Sequence, residues 1–262
     1  MMSRRNTIHA ERALSRRPTA WLMTALMVLF TATAARADGG GVSFSRNRII
    51  FPAQDGAVTL TVNNHGDQPW LVQAGVSAEP MKRTAAPFIV TPPLFRLEGN
   101  GQNVMRILRA GGSLPADRES VFYFYASTIP SQPAPKPGQV VQGQLGASLS
   151  ISMRTILKLF WRPAGLAITP KAAPGMMQFT VQPGAVVVKN PTPYYQSFAL
   201  LKFDGREQNL DKGPSMVAPF SELRFPASQS VKAVSWSVMN DYGGTTDVAT
   251  TPLGGGRRAA AK

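Results

Sequence analysis

Short runs of alternating apolar and polar residues, separated by turn-forming residues, fill the chain from residue 40 onwards. The first runs predicted as strands are residues 58–62, 70–76, 88–90, 104–108, 121–125 and 145–160. The segments 63–66 and 99–101 have the composition of tight turns between them. No segment shows the period of an amphipathic helix. The pattern therefore predicts an all-β fold.

A second series of predicted strands follows Pro163, at residues 178–181, 186–189, 198–203, 222–225 and 233–238. Pro163 has no N–H to donate to a sheet ladder, so we place the end of the preceding strand and a domain boundary there. Each portion is close to the ~100 residues of an immunoglobulin-like sandwich. We therefore expect two immunoglobulin-like β-sandwich domains in tandem, 38–162 and 163–253, followed by a flexible tail at 254–262.

The N-terminal segment has the features of a secretory signal peptide. Several arginines precede an apolar run at residues 20–30, and small residues ending at Ala37 follow it. The apolar run is shorter than the ~20 residues that span a membrane. We expect cleavage after Ala37, so that residues 1–37 are removed on export through the inner membrane. A retained anchor is the alternative, and the sequence leaves open whether export uses the Sec or the twin-arginine route.

The composition excludes most enzyme classes. The chain has no cysteine and two histidines, His9 and His65, so zinc sites, thiol nucleophiles and histidine-based triads lack their residues. A hydrolase that uses a serine from the run 148–152 would have only His65 as an imidazole in the mature chain. We therefore expect neither an enzyme nor a metal or other cofactor. Removal of residues 1–37, with six arginines and one glutamate, lowers the net charge from +14 to +9. This charge is spread over both halves of the exported chain, which argues against nucleic-acid binding.

The long predicted strand at 145–160 carries three apolar side chains, Leu149, Ile151 and Met153, which alternate with serines. Alternation along a strand places the apolar residues on one face and the hydroxyl groups on the other. The pattern alone leaves two interpretations open. The three side chains fill the core of their own domain, or they pack into a partner.

Residues 156–163, with the sequence Ile-Leu-Lys-Leu-Phe-Trp-Arg-Pro, resemble the signature of PapD-like periplasmic chaperones of pilus assembly. Further segments resemble the family's motifs in the same order and spacing, at 44–51, 91–97, 117–124, 190–195 and 240–244. The resemblance implies a cleft between the two domains and a periplasmic, non-enzymatic chaperone without a cofactor. Its implied partners are pilus or fimbrial subunits and an outer-membrane usher.

The resemblance also implies how a subunit is held. Arg48 and Lys158 correspond to paired cations in the cleft that bind the C-terminal carboxylate of the subunit. Leu149, Ile151 and Met153 correspond to the anchors of a donor strand, which completes an immunoglobulin-like subunit that lacks its final strand. Arginine offers a planar fork to a carboxylate and lysine a mobile point charge, so this pair suits the proposed ligand.

Two further groups of residues match family surfaces. Glu119, Arg162 and Asp241 match an ionic cluster between the domains, which would set the angle of the cleft. The residues that match the usher-facing surface are Leu71, Gln73, Thr91, Pro93, Leu94, Arg106 and Ile129. The aliphatic members of this second group are equally suited to a domain core.

Several alternatives stay open at this stage. An exported structural or adhesive subunit with two sandwiches is the main one, but such a subunit should carry an alternating N-terminal extension, whereas 38–41 leads almost directly into the first strand. The connection between Pro130 and Leu149 consists of a proline-rich tract, 131–138, and an extended alternation through Leu145 and Ala147. It is longer than in the short-loop subfamily, so the subfamily is unsettled. The sequence does not decide which subunits and usher are partners, or whether the free protein self-associates.

Overall fold

The computed structural model of the protein describes residues 41–131, 151–227 and 231–253. In these ranges the regular structure consists of strands β1 to β17 and one turn of 3₁₀ helix, Ala173–Met176. The expected all-β fold is confirmed. In the described ranges no helix is long and apolar enough to cross a membrane.

The first nine strands form two sheets. They are β1 (Val42–Phe44), β2 (Arg48–Pro52), β3 (Ala57–Asn64), β4 (Trp70–Ser77), β5 (Phe88–Thr91), β6 (Leu94–Leu97), β7 (Gln102–Arg109), β8 (Ser120–Pro130) and β9 (Met153–Arg162). Sheet 1 has the strand order β1-β3-β7-β5, and sheet 2 has the order β2-β9-β8-β4-β6. Strands β2 and β9 are parallel, whereas the other neighbours in these sheets are antiparallel.

The remaining strands form the second domain. They are β10 (Gln178–Gln182), β11 (Ala185–Asn190), β12 (Gln196–Phe203), β13 (Arg206–Glu207), β14 (Met216–Val217), β15 (Ser221–Pro226), β16 (Ala233–Val238) and β17 (Ala249–Pro252). Sheet 3 has the order β10-β11-β15. Sheet 4 has the order β13-β12-β16-β17, with β14 also paired to β12.

Each pair of sheets encloses its own apolar core. The first core joins side chains of sheets 1 and 2, among them Phe51, Phe88 and Phe122, whose rings meet edge to face. The second core contains Phe179 and Trp236, with ring centroids 4.5 Å apart. Sandwiches of this kind bury alternate residues of each strand, which is the pattern that the sequence shows. The two tandem sandwiches are therefore as expected.

The long strand β9 differs from its predicted extent. It begins at Met153 and continues to Arg162, one residue before the buried Pro163. Ile151 and Ser152 lie outside any strand, because the ladder between β8 and β9 ends at the pair Thr128 and Met153. Leu149 and residues 132–138 of the proline-rich tract lie outside the described residues, as do the predicted signal peptide and the tail.

Strand β9 divides one face between a buried and an exposed part. Leu157 and Leu159 are buried in the first core, and Met153, on the same face, is 57% exposed. Leu159→Ala is expected to lower the free energy of unfolding by about 2–5 kcal/mol, because it leaves a cavity in the core. Met153→Ala, the matched control, is expected to lower it by less than about 0.5 kcal/mol. Urea unfolding measures both; equal losses would show that Met153 belongs to the core.

Candidate functional site

The two edges of β9 are paired over different lengths. On one edge, β8 pairs with β9 from Met153 to Trp161. On the other edge, β2 pairs in parallel with β9 only from Lys158 to Arg162. Among the described strands, none pairs with the segment 153–157 on this second edge. The backbone groups of that segment therefore offer a template for an added strand.

The position beside residues 153–157 of β9 is free because the chain before β2 belongs to the other sheet. Strand β1, which precedes β2, pairs with β3 in sheet 1 and not with β9 in sheet 2. A strand added beside 153–157 would lie in line with β2. It could extend only as far as Arg48, the first residue of β2. The chain direction of such a strand decides which of its ends meets Arg48, and a strand parallel to β9 would end there.

Arg48 and Lys158 lie side by side at this point. They are directly paired in the β2–β9 ladder, so their side chains share a face of sheet 2. Arg48 is only 6% exposed. Its Nη1 donates hydrogen bonds to the carbonyl oxygens of Met239, at 2.9 Å, and Asn240, at 3.1 Å, both in the second domain. Its guanidinium carbon lies 4.6 Å from the ring centroid of Phe160.

The electrostatics of this pair favour an anionic ligand. Burial lowers the pKa of Lys158, and the charge of Arg48 lowers it further. Burial also lowers the pKa of Arg48, although Asp241 and Glu119 act in the opposite direction. In the described part of the chain, neither cation forms a salt bridge. A bound carboxylate would offset both the burial and the repulsion between the two cations.

Glu119, Arg162 and Asp241 come together between the two domains. Arg162 binds Asp241 with both terminal nitrogens, at 2.7 Å each, and its Nε donates to Glu119 at 2.8 Å. The other carboxylate oxygen of Glu119 accepts the backbone N–H of Tyr195 at 2.8 Å. Burial alone would lower the pKa of Arg162, but the hydrogen bonds and charges of Asp241 and Glu119 raise it. Arg162 therefore joins acidic residues of the two domains, Glu119 of the first and Asp241 of the second.

The two described anchor candidates are exposed. Ile151 is 61% and Met153 is 57% exposed, and both lie outside the core of their own domain. Met153 is nevertheless on the side of β9 that carries the core residues Leu157 and Leu159. This face thus extends beyond the domain's own core. The interpretation that Ile151 and Met153 fill that core is wrong, and Leu149 is outside the described residues.

The usher-facing candidates form two groups. Leu71 pairs with Ile129 and Gln73 with Leu94 in sheet 2, on the same face as Lys158. In sheet 1, Thr91 pairs with Arg106. Pro93, which connects the two groups along the chain, is exposed. Leu71, Leu94 and Ile129 are also exposed, so none of these aliphatic residues is a core residue.

Several cleft residues were missed by the sequence reasoning. A cavity of about 470 Å³ is bordered by Arg48, Arg162, Tyr194, Tyr242 and other residues, including Lys171. The hydroxyl of Tyr194 donates to the carbonyl oxygen of Ile168 at 2.6 Å. The only sequence signal for these tyrosines was the match of 190–195 and 240–244 to family motifs, because their contacts join segments far apart in the chain.

Two family models match this chain. The model of the "Pili and flagellar-assembly chaperone, PapD N-terminal domain" matches residues 41–167. The model of the "Pili assembly chaperone PapD, C-terminal domain" matches residues 172–250. The chain belongs to the PapD family of pilus-assembly chaperones. This is a family of chaperones, and its members are periplasmic.

Individual proteins of the PapD family are similar in sequence to this chain over most of their length. The probable fimbrial chaperone protein ElfD of Escherichia coli O157:H7 is 34% identical over 227 residues, which cover 86% of this chain and 91% of ElfD. Chaperone protein HifB of Haemophilus influenzae is 38% identical over 210 residues, which cover 77% and 84%. These relatives are named as chaperones, so a structural or adhesive subunit is not favoured.

A solved structure gives the same result for the fold. The structure of the Salmonella enterica SafA pilin in complex with the SafB chaperone contains a chain that matches with a TM-score of 0.71 at 32% identity. The match covers 82% of this chain and 97% of that chain. The architecture with two tandem β domains is therefore that of PapD-like chaperones.

The ionic cluster should contribute to stability as well as to orientation. Arg162→Met leaves the buried Glu119 without its ion-pair partner, and we expect the free energy of unfolding to fall by about 3–5 kcal/mol. Arg96→Met, the matched control, removes the exposed ion pair of Arg96 and Glu98 and should change the free energy of unfolding little. Urea unfolding of both variants tests this, and a similar small effect in both would contradict a structural role for the cluster.

Proposed function

We propose that this protein is a periplasmic chaperone that captures pilus or fimbrial subunits by donor-strand complementation and passes them to an outer-membrane usher. The observation that carries the proposal is the free edge of β9 at 153–157, which ends at the paired cations Arg48 and Lys158. The free edge in β9 and the charged stop, formed by Lys158 of β9 and Arg48 of β2, are thus adjacent. Strand addition between chaperones and pilins is a general mode of recognition that uses such an edge.

The donor strand would supply both hydrogen bonds and apolar contacts. The free edge of 153–157 offers backbone donors and acceptors to the last strand of the subunit. Leu149, Ile151 and Met153 would enter the groove that the missing strand leaves in the subunit. Each fully buried aliphatic side chain contributes ~1.5–3 kcal/mol, so the three would contribute roughly 5–9 kcal/mol before ordering costs. The exposure of Ile151 and Met153 in the free chain supports this use.

The paired cations would fix the register of the subunit. A strand added in parallel beside 153–157 ends where β2 begins, so its C-terminal carboxylate would reach Arg48 and Lys158. Each hydrogen bond to a charged group contributes about 1.5–3 kcal/mol. The cluster of Glu119, Arg162 and Asp241 would hold the second domain at the angle that keeps Arg48 bound to Met239 and Asn240.

The remaining assignments complete the proposal. Residues 1–37 would be a cleaved signal peptide, 38–162 the donor-strand domain, 163–253 the second domain and 254–262 a flexible tail. The usher would bind the surface that contains Leu71, Gln73, Thr91, Pro93, Leu94, Arg106 and Ile129, of which Gln73 is half-buried and the others are exposed. These assignments require neither a cofactor nor catalysis.

Removing a cation of the pocket should prevent stable capture. Lys158→Ala leaves the desolvated carboxylate of a bound subunit without one of its two cationic partners, which costs ~2–5 kcal/mol. We expect pilus subunits to co-purify from periplasm with the tagged wild-type protein and not with this variant, although it remains folded. Arg48→Ala should have the same effect. Lys189→Ala, at an exposed lysine of β11, is the control; unchanged subunit recovery with Lys158→Ala would refute the pocket.

A charge at an anchor position should block the donor strand. Ile151→Asp would bury an unpaired carboxylate in the groove of the subunit, so subunits should no longer co-purify. Ser152→Asp adds the same charge to the neighbouring residue, whose side chain would point to the opposite face of the added donor strand when a subunit is bound, and should retain capture. Mass spectrometry of the co-purified subunits quantifies both results. Wild-type recovery with Ile151→Asp would show that Ile151 is not an anchor.

A further inference from the structure

A second group of cations lies on the face of sheet 2 that carries Lys158. Arg154 and Arg83 both approach the ring of Tyr125, with their guanidinium carbons 4.7 Å and 5.7 Å from its centroid. Within the described ranges neither arginine has an acidic partner. Two guanidinium groups beside one ring leave a local excess of positive charge, because the ring face attracts cations without neutralising them.

The positions of these side chains are defined by the sheet. The ring of Tyr125 lies over Gly75 in the neighbouring strand β4, where an added Cβ would be 2.5 Å from the Tyr125 hydroxyl oxygen. Arg83 donates a hydrogen bond to the side-chain oxygen of Gln73 at 3.1 Å. Arg154 is exposed and comes from β9 itself. Gly75 therefore provides the space in which Tyr125 receives both arginines.

Arg154 lies beside the free edge of β9. It is four residues before Lys158, so both side chains are on one face, ~13 Å apart along the strand. A strand that is added in parallel to this edge places one side chain directly beside Arg154 and on the same face. Such directly opposite side chains in neighbouring strands interact, and opposite charges stabilise the pair.

The pairing of β2 with β9 determines which residue of the added strand lies opposite Arg154. Arg48 is opposite Lys158, so a strand whose carboxylate meets Arg48 has its last residue opposite Leu157 or Ile156. Counting backwards in parallel, the residue opposite Arg154 is the fourth or the third from the C-terminus. This register rests on the proposed function, because it assumes that the carboxylate is bound by Arg48 and Lys158.

We infer that Arg154, supported by Arg83 and Tyr125, selects subunits that carry an acidic side chain at the third or fourth position from their C-terminus. A glutamate there pairs with Arg154 and reduces its repulsion with Arg83. A lysine or arginine there adds a third positive charge to the cluster. The cluster thus distinguishes among subunits whose C-terminal carboxylates are identical.

Short synthetic peptides with a free C-terminus test this inference. The probes are fluorescein-labelled peptides of alternating valine and threonine. In each peptide one residue before the C-terminal residue is replaced by Glu, Gln or Lys, so that every such position is tested separately. Fluorescence anisotropy measures their affinity for the full mature chain. We expect Glu at the third or fourth position to bind about two- to fivefold more tightly than Gln there, as for exposed ion pairs. Lys should bind more weakly, and salt should reduce both differences.

Variants of the chaperone assign the effect to Arg154. Arg154→Gln should remove the preference for Glu, and Arg154→Glu should reverse it in favour of Lys. Arg206→Gln removes one exposed positive charge from the second domain and should leave the preference unchanged. Equal binding of the Glu and Gln peptides, or a preference that persists in Arg154→Gln, would overturn the inference.

C-terminally amidated peptides separate this inference from the proposed function. If amidation abolishes binding while Glu and Gln peptides bind equally, the carboxylate pocket stands and the selection by Arg154 is wrong. If amidated and free peptides bind equally, or if no peptide binds, the proposed pocket fails and the register that underlies the inference fails with it.

Discussion

The parallel pairing of β2 with only the last part of β9 is the constraint on which the site depends. Because β2 begins opposite Lys158, the preceding residues of β9 keep one edge free, and Arg48 becomes the first residue that an added strand would meet. The open edge and the paired cations are thus consequences of the same register. A shift of one residue would move Arg48 to the other face of the sheet and remove it from Lys158.

The second domain contributes to this site through backbone as well as side chains. Carbonyl oxygens of Met239 and Asn240 accept hydrogen bonds from Arg48, and the carboxylate of the neighbouring Asp241 accepts hydrogen bonds from two nitrogens of Arg162. Arg162 is the last residue of β9, so the ionic cluster is at one end of the strand and the free edge at the other. A single strand, β9, therefore carries both the arginine that joins the two domains and the free edge.

Alternation in the sequence was sufficient to predict the fold class and most strands, because buried and exposed residues alternate in a sandwich. The strands that it missed are short. β13 and β14 are two residues long and have no readable period, and β2, β6 and β17 have only four or five residues. The pair of Arg48 and Lys158 came from family resemblance alone. Its residues are separated by more than a hundred positions, and no local pattern predicts which strands become parallel neighbours.

The cluster around Tyr125 shows why the rest of the site required a structure. Arg83 is in a connection, Tyr125 in β8 and Arg154 in β9, and their proximity depends on the absence of a side chain at Gly75. A glycine within a strand is unfavourable by itself, since it has no side chain to pack. In this strand it makes room for an aromatic ring that two cations approach beside the free edge. The loss of strand stability at Gly75 is thus explained by the arginine cluster beside the free edge of β9, where subunits with different C-terminal sequences would be distinguished. It is not explained by packing in the core of the domain.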